Sequence, residues 1–180
     1  GQGARGEFAM LEAAGARRGF GFSRMDTRPA DGERVSSTRV REALRAGDFQ
    51  EAERLLGHPY FMMGRVVYGR QLGRQLGVPT ANIRLQRYRT PLEGVFAVTV
   101  TGLDRRYEGV ANVGVRPTVD GKEPLLEVHL FDFAEDIYGR LLTVEFKRKI
   151  RDERAFDGLE ALKAQIARDI ERTREYFAHA

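Results

Sequence analysis

After Pro59 the chain runs through six short segments rich in β-branched and aromatic residues, separated by Gly, Pro and Asp. They are 60–68 (YFMMGRVVY), 79–84, 94–101 (GVFAVTVT), 106–113, 124–133 (PLLEVHLFDF) and 141–148 (LLTVEFKR). Strand-like runs repeating every 8–15 residues or so predict an antiparallel barrel or sandwich. Thr99, Thr101 and the Gly102-to-Arg105 turn predict a hairpin into Tyr107. In 124–133, alternation puts Leu126, Val128 and Leu130 on one face and Glu127, His129 and Phe131 on the other.

Helical signals flank this β region. Residues 7–18 predict a helix closed by Gly19, Phe20 to Thr27 a short strand, and Arg28 to Arg34 a loop. Ser36 and Ser37 are good N-caps for a helix through Val40, Ala43 and Leu44 that ends at Gly47. Asp48 caps the next helix, whose apolar face is Phe49, Ala52, Leu55 and Leu56. Gly57-His58-Pro59 breaks the pattern, and the domain boundary is expected there, between 1–57 and 58–180. A final helix starts from Asp157 and Glu160 as a capping box. Leu159, Leu162, Ile166, Ile170 and Phe177 give it an apolar stripe expected to lie on the barrel.

Composition removes several kinds of chemistry. The chain has no Cys, which excludes disulfides, a thiolate nucleophile and Cys-ligated metal. His58, His129 and His179 are scattered. No apolar run reaches the roughly 20 residues of a membrane span, and no secretory signal is visible, so a soluble, cytoplasmic protein is expected. The chain starts Gly1-Gln2-Gly3 without an initiator Met, and a longer natural protein is expected. Residues 1–57 carry 10 basic and 9 acidic side chains and residues 58–180 carry 20 and 17, so the net charge of +4 has no basic block. That even spread gives no argument for a nucleic-acid partner, although small basic barrels do bind RNA.

Four features carry candidate chemistry. The first is GRVVYGRQLGRQLGVPTAN, residues 64–82, in which Gly64, Gly69, Gly73 and Gly77 precede Thr80 and Asn82. Spaced glycines let backbone N–H groups approach an anion, and also make barrel turns. No Gly-Lys-Ser/Thr follows, so this is not a Walker loop. Thr80 and Asn82 are two residues apart on one strand face, either as hard oxygen ligands for Mg²⁺ or as caps for backbone groups. The second is Glu127, a mid-strand carboxylate suited to a general base or to solvent. The third is Arg116 in NVGVRPTV, an oxyanion contact or a turn cap. The fourth is IRDERAF, where Arg151 and Phe156 either meet a flat ligand or seal the entrance to the last helix.

Taken together, GRVVYGRQLGRQLGVPTANI, GVFAV, GVANVGVRPTV, LLEVHLFDF with DIYGR, and IRDERAF leading into ALKAQIARD resemble the bacterial riboflavin kinases over residues 58–180. More specifically, the chain resembles the family of bifunctional riboflavin kinase/FMN adenylyltransferases. VSSTRVREAL is similar to the last motif of their adenylyltransferase module, which makes residues 1–57 the C-terminal remainder of that module.

The resemblance implies a mainly β fold. A six-stranded antiparallel Greek-key flavokinase-like barrel with a long C-terminal helix would follow a partial α/β, nucleotidyltransferase-like segment. It implies ATP- and Mg²⁺-dependent phosphorylation of the riboflavin 5′-hydroxyl, giving ADP and FMN. Thr80 and Asn82 would hold the Mg²⁺–ATP phosphates, and Glu127 would be the base. The segment from Gly64 to Gly77 would cover the nucleotide as a mobile loop. Arg151 and Phe156 would line the flavin side, with Arg116 a further phosphate contact. Ser36, Ser37, Thr38 and Arg41 would be the remnant of an adenylyltransferase phosphate site. That module's HxGH-type motif is absent from these 180 residues, so no FAD formation is expected of them. Small-molecule substrates are the implied partners, with no nucleic acid or membrane. Apolar Phe20, Phe22 and Leu55 in the truncated segment are expected to offer a self-association surface.

Overall fold

The computed structural model describes residues 8–21, 23, 29–30, 33–69, 73, 76–86, 89–118 and 121–180. It divides into two compact units, Gly1–Val35 and Ser36–Ala180. In the first, helix α1 (Phe8–Arg18) stops at Gly19, whose φ of 73° favours glycine. Strands β1 (Pro29–Ala30) and β2 (Glu33–Arg34) pair within the stretch expected to be a loop. The strand expected over Phe20 to Thr27 falls mostly outside the described residues, and Phe20, Gly21 and Ser23 are not in a strand.

The second unit opens with two short capped helices. Ser36 caps α2 (Ser37–Ala46), its hydroxyl accepting from the Arg39 N–H at 3.3 Å. Gly47 ends α2 in the left-handed conformation, and Asp48 caps α3 (Phe49–Leu56) by accepting from the Glu51 N–H at 2.9 Å. Phe49, Ala52 and Leu55 are buried. Phe49 stacks on Phe146 and meets Phe96 edge-on, which fastens α3 to the barrel. Leu55 is therefore not part of an exposed apolar surface, while Phe20 is 46% exposed and Phe22 lies outside the described residues.

Six strands form the closed barrel: β3 (Phe61–Val67), β4 (Ala81–Leu85), β5 (Gly94–Thr101), β6 (Tyr107–Thr118), β7 (Gly121–Leu130) and β8 (Leu141–Arg151). Their order is β3-β4-β7-β6-β5-β8, all antiparallel, with β8 pairing back onto β3. The β4–β5 connection skips β7 and β6, so the meander is broken in Greek-key fashion. Period-2 alternation sends Met62, Val66, Ile83, Leu126, Val128 and Val144 into one continuous core. Closure leaves no free sheet edge.

Strand β5 is buried along both faces up to its last residue. Its inner face joins the core, and Val95 on the outside joins Val110 and Phe131 in a second cluster. Ile170 and Phe177 of the last helix, α4 (Leu159–Ala178), pack on that cluster. Leu162 and Ile166 of the expected apolar stripe are half-buried as well. Leu159 is 56% exposed, and the buried line is polar: Gln165, Asp169 and Thr173. These satisfy one another, with the Gln165 amide donating to Asp169 (2.7 Å) and the Thr173 hydroxyl donating to the Asp169 carbonyl (2.7 Å). The helix N-cap is Gly158, with φ of 100° and no side-chain cap. Asp157 and Glu160 therefore do not form a capping box, because the left-handed Gly158 starts the helix one residue later.

Candidate functional site

One rung of the barrel organises the outer surface beside α4. Asn82 of β4 pairs in register with Glu127 of β7, and Glu127 with Asn112 of β6. Asn112 in turn pairs with Val95 of β5, and Val95 with Arg151 of β8. Residues opposite one another project to the same sheet face, so a single row runs Asn82–Glu127–Asn112–Val95–Arg151. All five line one cavity of about 530 Å³. Val110, Leu125, Phe156, Leu162 and Ile166 supply apolar walls. A mostly apolar cleft with a few convergent polar groups is the usual form of a small-molecule site.

At the Asn82 end, glycine explains how the loop and the strand fit. A Cβ on Gly69 would collide with the Asn82 amide, and one on Gly73 would meet the Val78 carbonyl and approach Thr80 Oγ1 to 3.1 Å. Thr80, Asn82, Gly69 and Gly73 all line the cavity. His129, on the same face as Glu127, donates from Nδ1 to the Pro79 carbonyl at 2.8 Å and anchors the chain just before Thr80. Gly64 and Gly77 do not line it. Gly64 is buried in β3 against the Arg84 carbonyl, and Gly77 (φ 76°) turns the chain after Leu76. Residues 70–72 and 74–75 of the glycine-rich segment lie outside the described residues.

Thr80 also lines a second cavity of about 320 Å³, with Pro79, Phe133, Ile137 and Tyr138. Tyr138 stacks on Tyr68 with ring centroids 3.8 Å apart. The two cavities share Thr80 as a lining residue.

Burial pushes the Glu127 carboxyl above its ordinary range. A second carboxylate, Glu153, lines the same cavity, and it too is pushed up, chiefly by burial and further by Glu93 and Glu127. Arg151 and a hydrogen bond from Asn112 act in the opposite direction on Glu153. Arg151 is held by Asp169, donates to the Asp152 carbonyl (2.9 Å), and lies 5.5 Å from the Phe156 ring centre. Arg154 covers the same ring at 4.7 Å.

Of the residues singled out from sequence, the cavity gathers Gly69, Gly73, Thr80, Asn82, Glu127, Arg151 and Phe156. Arg116 sits on β6 opposite Glu123, and its side chain lies outside the described residues. Ser36, Ser37, Thr38 and Arg41 do not line it; the Ser37 hydroxyl accepts from Arg41 at 3.2 Å. Sequence reasoning missed Asn112, Glu153 and Asp169. Asn112 was findable, since it follows Ala111 in a strand whose alternate residues are apolar. The approach of Glu153 and Asp169 needed the fold. Among the described residues no three His, Cys, Asp or Glu side chains converge as a metal site. The oxygens of Thr80 and Asn82 are the hard donors that fit Mg²⁺, an ion often held by one or two protein groups plus phosphates. No described helix is long and apolar enough to cross a membrane.

A family model for flavokinase, riboflavin kinase, matches residues 56–177. The bifunctional riboflavin kinase/FMN adenylyltransferase of Haemophilus influenzae is 51% identical over 96% of this chain and 56% of its own length. The Pseudomonas fluorescens protein of the same name is 54% identical over 92% of this chain and 53% of its own. The chain thus spans about half the length of the curated relatives it matches. Among solved structures, riboflavin kinase from Trypanosoma brucei aligns with a TM-score of 0.50 and 26% identity, covering 67% of this chain and 78% of that one.

Proposed function

The chain belongs to the riboflavin kinase family, and on that premise we propose that it transfers the γ-phosphoryl group of ATP to the 5′-hydroxyl of riboflavin, giving FMN and ADP. The observation that carries this reading is the meeting of two cavities at Thr80, with Asn82 and Glu127 beside it in register. The larger, mostly apolar cavity suits an isoalloxazine ring and its polyol chain. The smaller, with Phe133 and Tyr138, suits a purine. The polyphosphate then crosses at Thr80.

Glu127 takes the proton of the 5′-hydroxyl as that oxygen bonds to the γ-phosphorus and the bond to the ADP oxygen breaks. A carboxyl raised by burial is a stronger base than an ordinary glutamate, which suits removal of an alcohol proton. Thr80 and Asn82 would hold Mg²⁺, which supplies charge neutralisation on the phosphoryl oxygens. His129 fixes the strand entry so that Thr80 faces the phosphates. The Arg151–Phe156 pair and α4 form the wall against which the flavin ring rests. Transfer has a loose transition state, so this alignment accounts for most of the rate.

Adenylylation of FMN to FAD, the second activity in the relatives' name, is proposed for the whole protein. Self-association through the N-terminal residues is supported by the exposed Met10, Leu11 and Phe20 and is read by sedimentation. The deciding experiment incubates the protein with riboflavin, ATP and Mg²⁺ and separates riboflavin, FMN and FAD by chromatography. FMN that forms only when ATP is present supports the reading, and unchanged riboflavin refutes it.

A further inference from the structure

Resting on the reading of riboflavin as phosphoryl acceptor, we propose that Asn112 is a specificity-determining residue whose side-chain oxygen accepts a hydrogen bond from a secondary hydroxyl of the ribityl chain. Three observations lead there. Asn112 stands in register between Glu127 and Val95, and neighbouring strands are about 4.8 Å apart. A five-carbon polyol with its terminal hydroxyl at Glu127 and its ring against Val95 and Phe156 has to pass the strand between them. Asn112 is the polar side chain at that crossing, and it lines the cavity.

The second observation is that Asn112 Oδ1 is buried and has no hydrogen-bond partner among the described residues. Buried acceptors are nearly always satisfied, so an orphan beside a ligand cavity calls for a donor from outside the chain. The other such atom among the described residues, Thr99 Oγ1, belongs to a residue that does not line the cavity.

The third concerns orientation. The Asn112 side chain hydrogen-bonds to Glu153, whose carboxylate only accepts. The amide therefore turns its NH₂ to Glu153 and leaves its oxygen as the free end. Glu153 thus acts as a positioning residue that keeps an acceptor ready for a hydroxyl donor. A secondary alcohol supplies that donor, and an unsubstituted alkyl chain does not. Discrimination then comes from leaving the oxygen unpaired when the wrong chain binds.

The test compares riboflavin with 7,8-dimethyl-10-(5-hydroxypentyl)isoalloxazine, which keeps the ring and the primary alcohol but lacks the secondary hydroxyls. The wild-type protein is expected to prefer riboflavin by about ten- to a hundredfold in kcat/KM. In Asn112→Leu that preference shrinks to a few fold through loss of rate on riboflavin, with KM for ATP and the circular dichroism melt unchanged. If Asn112→Leu does not fold, Glu153→Ala, which frees the amide to rotate, is expected to narrow the preference in the same direction. A preference that persists in full in a folded variant overturns the proposal, as does a wild-type protein that uses both alcohols equally. If the wild type phosphorylates neither, the kinase reading itself fails.

Discussion

Arg151, the last residue of β8, closes on Asp169 of α4 through two contacts of 2.9 Å, from Nε and from Nη2 to the same carboxylate oxygen. The Asp169 side chain is 4% exposed and that of Arg151 16%. The carboxylate also receives the Gln165 amide, and the Arg154 guanidinium reaches the Gln165 oxygen. This buried polar network ties the strand that ends at the cavity to the helix that walls it. It gives α4 a buried polar line beside the half-buried apolar residues Leu162, Ile166, Ile170 and Phe177.

Asp169→Ala is expected to destabilise the fold by about 3–5 kcal/mol, because it leaves a buried guanidinium without its partner. Urea unfolding measures the loss as a lower midpoint. Where the variant still folds, KM for riboflavin should rise more than KM for ATP, since α4 faces the first cavity and does not line the second. Stability within 1 kcal/mol of the parent, an order-of-magnitude threshold well below the usual cost of a broken buried pair, would remove the network from any structural role.

Much of this molecule was legible in its sequence because strand periodicity is local. Leu126, Val128 and Leu130 alternate with Glu127 and His129, and that pattern alone put the carboxylate on the face that lines the cavity. Helix ends at Gly19, Gly47 and Gly57 were equally readable, since all three take a positive φ. What local pattern could not supply was which outer residues share a rung. Asn82, Glu127 and Asn112 meet only through the β4-β7-β6 order, and β7 lies about 40 residues from β4 in the chain. The buried polar line of α4 was hidden for a related reason. Its line of contact is set by Arg151, a long-range partner that no helical period can reveal.

Glu127→Gln is expected to lower kcat by about 10²–10⁴-fold with the fold intact, the usual loss when a general base is removed. The pH dependence follows from the direction of its shift. Glu127 has to be ionised to accept a proton, and burial raises its folded pKa, so the acid limb of kcat/KM should lie above the ordinary glutamate range near 4.5. The stability effect has the opposite benefit. A carboxyl with a raised folded pKa contributes stability that is full below its unfolded pKa and is lost as pH rises through the folded one. At neutral pH the ionised, half-buried Glu127 therefore costs stability, and Glu127→Gln should melt higher than the parent at pH 7. A variant with lower activity and a lower melting temperature would mean that Glu127 serves the fold instead of the reaction.

The glycines separate in the same manner into those that shape the barrel and those that shape the site. At Gly64 a Cβ would meet the Arg84 backbone and lie 2.8 Å from Ile83 Cγ2, inside a buried strand pair. Gly64→Ala should thus cost about 1–3 kcal/mol through overpacking, with KM values for ATP and riboflavin unchanged in the folded fraction. At Gly73 the added carbon would press on the Val78 carbonyl and on Thr80 Oγ1, displacing the hydroxyl assigned to the metal and phosphates. Gly73→Ala should therefore resemble Thr80→Ala, raising KM for Mg²⁺–ATP and lowering kcat while the urea midpoint moves little. Combining Gly73→Ala with Thr80→Ala tests the cause. If the glycine acts through the threonine, the double variant is no worse than Thr80→Ala alone, because residues that work through one contact do not add. Additive losses would place the effect of Gly73 elsewhere than on Thr80.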